Sequence, residues 1–260
     1  MEYAHLTRYG LLSVSGSDAR AFLHAQLTND IENLPPSRAA LAGWCSAKGR
    51  LLASFLVIPT AQGFLLQLSR DLVPTVVKRL SMFVLRSKVK IADESGKWHQ
   101  LGVWGDGVPG LDVPRDPLDV AEKGSVLAVR AGDARFLVLS QDPRLFADAA
   151  AVAESRWTLD EIRAGRPVIS AATQDQFVPQ MVNFDKLGAV NFQKGCYPGQ
   201  EIVARAQYRG QVKRRMKLLQ APPGVELRPG EKFQGGTVVD IAPAENGSAL
   251  LVVMPVEEAA

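Results

Sequence analysis

The apolar residues of this chain come in short runs closed off by turn residues, and that pattern limits what the chain can fold into. Even a long one, LLASFLVI from Leu51, is far too short to span a bilayer. LLSV (11–14), AALAGWC (39–45), RLLASFLVI (50–58) and GFLLQLS (63–69) read as strands, the middle two joined by a turn at 46–49. Between them lie stretches with helical spacing. Ala19, Phe22, Leu23 and Leu27 follow Ser17, an N-cap residue, and Asp18, whose charge suits a first turn. Val76, Val77, Leu80 and Phe83 share one side of a helix expected over 71–84.

The middle of the chain reads as strand WHQLGVWG, a Gly/Pro/Asp-rich loop over 105–124, strands SVLAVR and RFLVLS, and a helix over PRLFADAAAVAE (143–154). WTLDEIRAG reads as a helix closed by Gly165. Residues 178–200 are irregular, and irregular backbone inside a well-patterned domain often carries a binding site. After Lys213 the runs RMKLLQ, TVVDIA and SALLVVMP alternate with Pro-Gly, Gly-Gly and Asn-Gly pairs, the punctuation of a small all-β module. The expectation is an α+β body over 1–212 with a β-rich module over 213–260.

With 47% hydrophobic and 22% charged residues the chain is of the folded, globular class. Two cysteines make no disulfide framework, and no stretch near Met1 has the layout of a secretion signal, so a cytoplasmic protein with no membrane partner is expected. The net charge of +3 is too small to imply nucleic acid by itself. Its distribution says more, because RAQYRGQVKRRMK (205–217) holds six basic residues and no acidic one. Such a strip suits phosphates, carboxylates or an acidic protein surface. Arg205 and Arg209 share a helix face, which a merely solvated surface also explains, and Tyr208 is the strip's sole aromatic residue. HxxxH and CxxC pairs are missing, so no protein-only metal site is expected. GxSxG, Walker and dinucleotide-binding signatures are missing too.

The chemistry concentrates in KGCYPGQE (194–201). Lys194 stands two residues from Cys196, Gly195 and Gly199 permit close approach of backbone, and EIVARAQY reads as a helix whose N-terminus favours an anion. Together these suit a thiolate of lowered pKa. A buried structural cysteine in a tight connector explains the same residues. Gln200 and Glu201 open the helix, where capping accounts for Gln200, and Glu201 either caps or meets the polar edge of a ligand.

KGCYPGQEIVAR resembles the signature of the YgfZ-type folate-binding proteins, relatives of the glycine-cleavage aminomethyltransferase that act in iron–sulfur cluster assembly or repair. Lys194, Gly195, Cys196, Tyr197, Gly199, Gln200 and Glu201 all match it. VSGSDARAFLHAQLTNDI, SAKGRLLASFLV, GRPVISAATQDQFV with Pro179-Gln180, and ARAQYRGQVKRR are similar to further parts of the family, so the likeness covers most of the chain. It implies a ring of two interleaved α+β subdomains, within 1–212, and a small C-terminal β-barrel around a tetrahydrofolate site. By the same likeness Trp157 and Tyr9 are the aromatics that meet the pterin, although core packing explains Trp157 equally well. Tyr197, Gln200 and Glu201 come from the motif, and Arg205 and Arg209 meet the folate tail or a client protein.

The aminomethyltransferases carry acidic residues on the strand after the first glycine turn, whereas residues 51–54 here are Leu, Leu, Ala and Ser. Glycine-cleavage chemistry is therefore not expected. The reading is a tetrahydrofolate-binding accessory protein that supports iron–sulfur clusters in client enzymes, including those that thiolate tRNA, with Cys196 reactive and Lys194 its activator. Its rivals are a folate-dependent one-carbon transferase or demethylase, and a tRNA-binding protein using 205–217.

Overall fold

The computed structural model describes residues 1–112 and 115–256. The strand-sized runs form strands at nearly the expected bounds. The chain opens with β1 (Glu2–His5), β2 (Tyr9–Ser15), helix α1 (Ala19–Gln26) and β3 (Ala40–Cys45). Strands β4 (Leu51–Thr60) and β5 (Gly63–Ser69) precede a 3-10 turn at Arg70–Leu72 and helix α2 (Val73–Ser81). Next come β6 (Lys90–Asp93), β7 (His99–Trp104), β8 (Val120–Lys123), β9 (Val126–Gly132) and β10 (Arg135–Ser140). The short β11 (Ala150–Ala151) leads to α3 (Glu154–Arg163). A 3-10 turn at Pro179–Val182 precedes α4 (Gln200–Tyr208), β12 (Arg214–Ala221), β13 (Lys232–Phe233), β14 (Gly236–Ala244) and β15 (Gly247–Pro255).

The chain divides into two compact units, each gathered from separated stretches. The first comprises Met1–Phe22, Ile31–Ala40 and Leu56–Trp157. One of its sheets has the order β11-β1-β7-β10-β9-β8, with β11 parallel to β1 and the remaining pairs antiparallel. Leu101, Val103, Phe136 and Val138 from that sheet bury against Phe146. In the same unit β2 lies between β5 and β6, and β5 pairs with Leu56–Thr60 of β4. Helix α2 buries Val76 and Leu80, while Phe83 lies beyond its end and is exposed. Ser17 is not the cap of α1: its hydroxyl donates to the Asp18 carboxylate, and the Asp18 carbonyl accepts from Phe22 N–H.

The expected helix over 143–154 does not form. Residues 144–149 make tight turns, with Ala147 N–H donating to Arg144 and Ala149 N–H to Phe146. Ala150–Ala151 then extend along β1. Burial of Phe146 and pairing with an open strand edge outweigh the helix preference of alanine. Part of the expected loop over 105–124 lies outside the described residues, and from Val120 it has become β8, which pairs with β9.

The second unit comprises Leu23–Asp30, Leu41–Phe55 and the chain from Thr158 on. Strands β3 and β4 are hydrogen-bonded neighbours joined by the turn at 46–49, where Gly49 has φ +67°. The irregular segment after α3 binds this hairpin. Leu51 N–H donates to Phe177, Asp175 N–H donates to Leu51, and Ile169 N–H donates to the Ser54 hydroxyl. The C-terminal strands form an antiparallel sheet of order β12-β15-β14-β13. A register shift between Val238 and Asp240 strengthens its twist, and it curls like half a barrel over Ala221, Val238, Leu250 and Val252. Arg215 on β12 forms a bidentate pair with Asp185, at 2.7 and 2.8 Å. The fold is α+β, with mixed sheets and few helices.

Candidate functional site

The KGCYPGQE turn enters α4 through Gly199, the N-cap residue, at φ +78°. A Cβ at Gly199 would stand 2.3 Å from the Ser46 carbonyl oxygen and 2.6 Å from Gly49, so the two glycine turns press together backbone to backbone. This contact is why both positions need glycine. Gly49 in turn packs on Ile202 of α4.

Lys194 is 8% exposed. Its ammonium donates to the carbonyls of His24 and of Leu27, the latter at 2.6 Å. These carbonyls belong to the last turn of α1, where unpaired acceptors and the helix dipole favour a cation. The Tyr197 ring lies beneath the same ammonium, 5.1 Å from it. Burial pulls the Lys194 pKa down to about 8, against the opposing pull of Asp30 and of Cys196. Lys194 thus does two things at once: it clamps the turn onto the end of α1 and keeps a positive charge near the Cys196 thiol.

Cys196 is exposed and Cys45 is buried. Desolvation pushes the Cys45 thiol up to about 12, and burial raises the Tyr197 phenol as well. Tyr197 is therefore packed into this unit rather than open to solvent. The Gln200 side chain donates to the Lys194 carbonyl at 3.5 Å, and Glu201 is exposed on the first turn of α4. Sequence reading missed His24, whose Nδ1 lies 3.2 Å from the Asp30 carboxylate. Its Nε2 lies 3.8 Å from where a Gly195 Cβ would be. Helical spacing places His24 on α1, but no local signal ties it to residue 195.

The basic strip separates into two kinds of residue. Arg214 donates to the Val253 carbonyl and Arg215 pairs with Asp185, so both hold the fold. Arg205 on α4 and Arg209, its C-cap residue, are exposed, as is Lys213.

Trp157 and Tyr9 belong to the first unit. Trp157 is 3% exposed, with Gly102 against one ring face, the Arg135 guanidinium 4.7 Å from the ring centroid and Trp104 edge-on at 5.9 Å. Tyr9 is buried, with Arg8 5.5 Å from its centroid. Both aromatics pack as core side chains. A cleft of about 500 Å³ in this unit, bordered by Gln62, Lys90, Glu94 and Trp98, contains none of the expected site residues. Residues 51–54 are buried and without a carboxylate.

No family model matches the chain. It is 32% identical over 265 residues to the tRNA-modifying protein YgfZ of Edwardsiella ictaluri (strain 93-146), covering 92% of this chain and 80% of that one. Against the tRNA-modifying protein YgfZ of Escherichia coli O157:H7 it is 30% identical over 273 residues, 96% of this chain and 83% of that one. Among solved structures it is similar to glycine cleavage system aminomethyltransferase T from Bartonella henselae. The TM-score is 0.76 at 16% identity, over 98% of this chain and 78% of that one. The fold is therefore aminomethyltransferase-like. No described helix is long and apolar enough to cross a membrane.

Proposed function

The chain belongs to the YgfZ family of tRNA-modifying proteins, and from that premise we propose a tetrahydrofolate-binding accessory protein whose Cys196 thiol supports the assembly or repair of iron–sulfur clusters in client enzymes, those that thiolate tRNA among them. The contrast between the two cysteines carries this reading. Cys45 is sealed in the interior, whereas Cys196 is exposed in a turn clamped by a buried lysine and by two glycines in backbone contact. A cysteine that merely filled space would not be displayed on so rigid a mount. Loss of the thiol proton gives the thiolate, the form that ligates iron.

The aminomethyltransferase-like fold supports tetrahydrofolate as the ligand. One feature of this chain fits such a molecule: the side-chain oxygen of Gln180 is buried with no donor among the described residues, an acceptor suited to a pterin amine. Bound tetrahydrofolate supplies a one-carbon carrier. In this reading Gln200 and Glu201 hold a polar ligand edge. Tyr197 enters the reading through the family resemblance, whereas Tyr9 and Trp157, which the resemblance assigns to the pterin, are buried core side chains of the first unit.

Two measurements test the proposal. Replacing Cys196 with alanine should abolish support of a tRNA-thiolating iron–sulfur enzyme while leaving circular dichroism and melting unchanged. Full support by this variant would sink the thiol role. Calorimetric titration of the wild type with tetrahydrofolate should show saturable binding, and a flat titration would remove folate from the proposal.

A further inference from the structure

Several large side chains around α4 face solvent. Tyr208 is 69% exposed and Ile202 39%, large apolar surfaces that a fold without a partner tends to cover. Val203, fully buried, marks the inner side of the helix. Arg205 and Arg209, four residues apart, share a face, and Lys213 is exposed just beyond. Phe192 meets the Tyr208 ring edge-on, with centroids 5.9 Å apart at 72°, and props it in place. Lys48 is exposed on the turn whose Gly49 packs on Ile202, extending the positive surface past the start of the helix. Glu201 is the single acidic residue of α4.

We propose that this face binds RNA with unpaired bases, Tyr208 stacking on a base while Arg205, Arg209, Lys213 and Lys48 meet phosphates, so that the RNA lies beside Cys196. The inference rests on the chain's role in tRNA modification and names the surface that takes the substrate. An exposed aromatic propped by a second ring, among cations spaced along a helix, is the arrangement that single-stranded nucleic acid selects. Acidic protein surfaces would match the charge but give an upright tyrosine nothing planar to stack on. The sequence strip of six basic residues overstates the site, since Arg214 and Arg215 are engaged inside the unit, and understates its aromatic part, since Phe192 lies outside the strip.

The test is fluorescence anisotropy of a labelled tRNA transcript against the intact protein at several salt concentrations. The wild type should bind with affinity that falls steeply as salt rises. Arg205→Gln and Arg209→Gln should each flatten the log–log slope by about 0.7–0.9. Tyr208→Ala should weaken binding by about tenfold, and Lys123→Gln, a change in the first unit, should leave it unchanged. Binding indifferent to salt, or Tyr208→Ala within twofold of wild type, overturns the proposal. So does competition by polyglutamate as effective as that by unlabelled RNA, which would assign the face to an acidic protein. Loss of tetrahydrofolate binding in the arginine variants without loss of RNA binding would give those residues to folate and overturn it as well. Cys196→Ala should bind RNA normally, so failure of this inference and failure of the thiol reading produce different results.

Discussion

Lys194 stands two residues before Cys196, a spacing that suggests an ammonium whose whole task is to face the thiol. The structure gives that ammonium carbonyl partners at the end of α1 and an aromatic ring beneath it. Such a clamp is illegible in the sequence, because residues 24 and 27 are about 170 positions away and only folding brings their carbonyls to Lys194. The exposure of Cys196 was more legible, since the motif lacks the apolar flanks that surround Cys45. The clamp also predicts a pH signature. The Lys194 amine titrates near 10.5 in the unfolded chain and near 8 in the folded protein. Between those values the unfolded chain holds more protons, so the stability contributed by Lys194 rises with pH. It is complete above 10.5 and is lost as pH falls through 8. Denaturant unfolding of wild type and Lys194→Met from pH 7 to 10.5 should diverge in favour of the wild type as pH rises. Parallel curves would mean that the amine is not desolvated.

Among the elements, those whose pattern is local were read correctly: β5, β14 and β15 follow from period and turn residues alone. Expectation failed where a partner from elsewhere decided the outcome. Alanines over 149–151 favour helix, yet β1 offers an unpaired edge and Phe146 a place in the core. The entry to α4 is a second case, in which the sequence shows a glycine but not what it must clear. Gly199 combines a left-handed backbone with a carbonyl 2.3 Å from where a Cβ would sit. Gly199→Ala should therefore exceed the roughly 1–2 kcal/mol of the backbone conformation alone. That corresponds to a melting temperature lowered by at least several degrees, at about 2–4 °C per kcal/mol for a chain of this size. An unchanged melt would mean that the 46–49 turn yields to the methyl at no cost.

At the scale of the molecule, the most consequential feature is that neither compact unit is one continuous piece of chain. The second takes Leu23–Asp30 and Leu41–Phe55 from the N-terminal part and joins them to everything after Thr158. The contributed pieces are structural partners of the later chain. Thr28 donates to Ala189 and accepts from Asn191 N–H, Leu51 exchanges hydrogen bonds with Phe177 and Asp175, Gln174 donates to Leu52, and Lys194 needs the end of α1. The family resemblance implies interleaved subdomains, but sequence patterns mark where strands and helices lie and carry no label for which distant stretch completes them, so the stretches that interleave are legible in the fold alone. The interleaving makes a firm prediction about cutting the chain. A fragment from Thr158 onward retains the motif, α4 and the C-terminal sheet, yet leaves each of those backbone and ammonium groups without its partner. Buried groups stripped of hydrogen bonds cost about 1–3 kcal/mol each, enough in sum to exceed the usual stability margin of about 5–15 kcal/mol. The fragment should show no cooperative melt and no fixed near-ultraviolet circular dichroism. Adding a separate 1–157 chain should restore both, since it returns Leu23–Asp30 and Leu41–Phe55 to their places. A cooperative melt of the fragment alone would show that the C-terminal sheet and the motif turn fold without the borrowed hairpin, and the site would then be a domain in its own right.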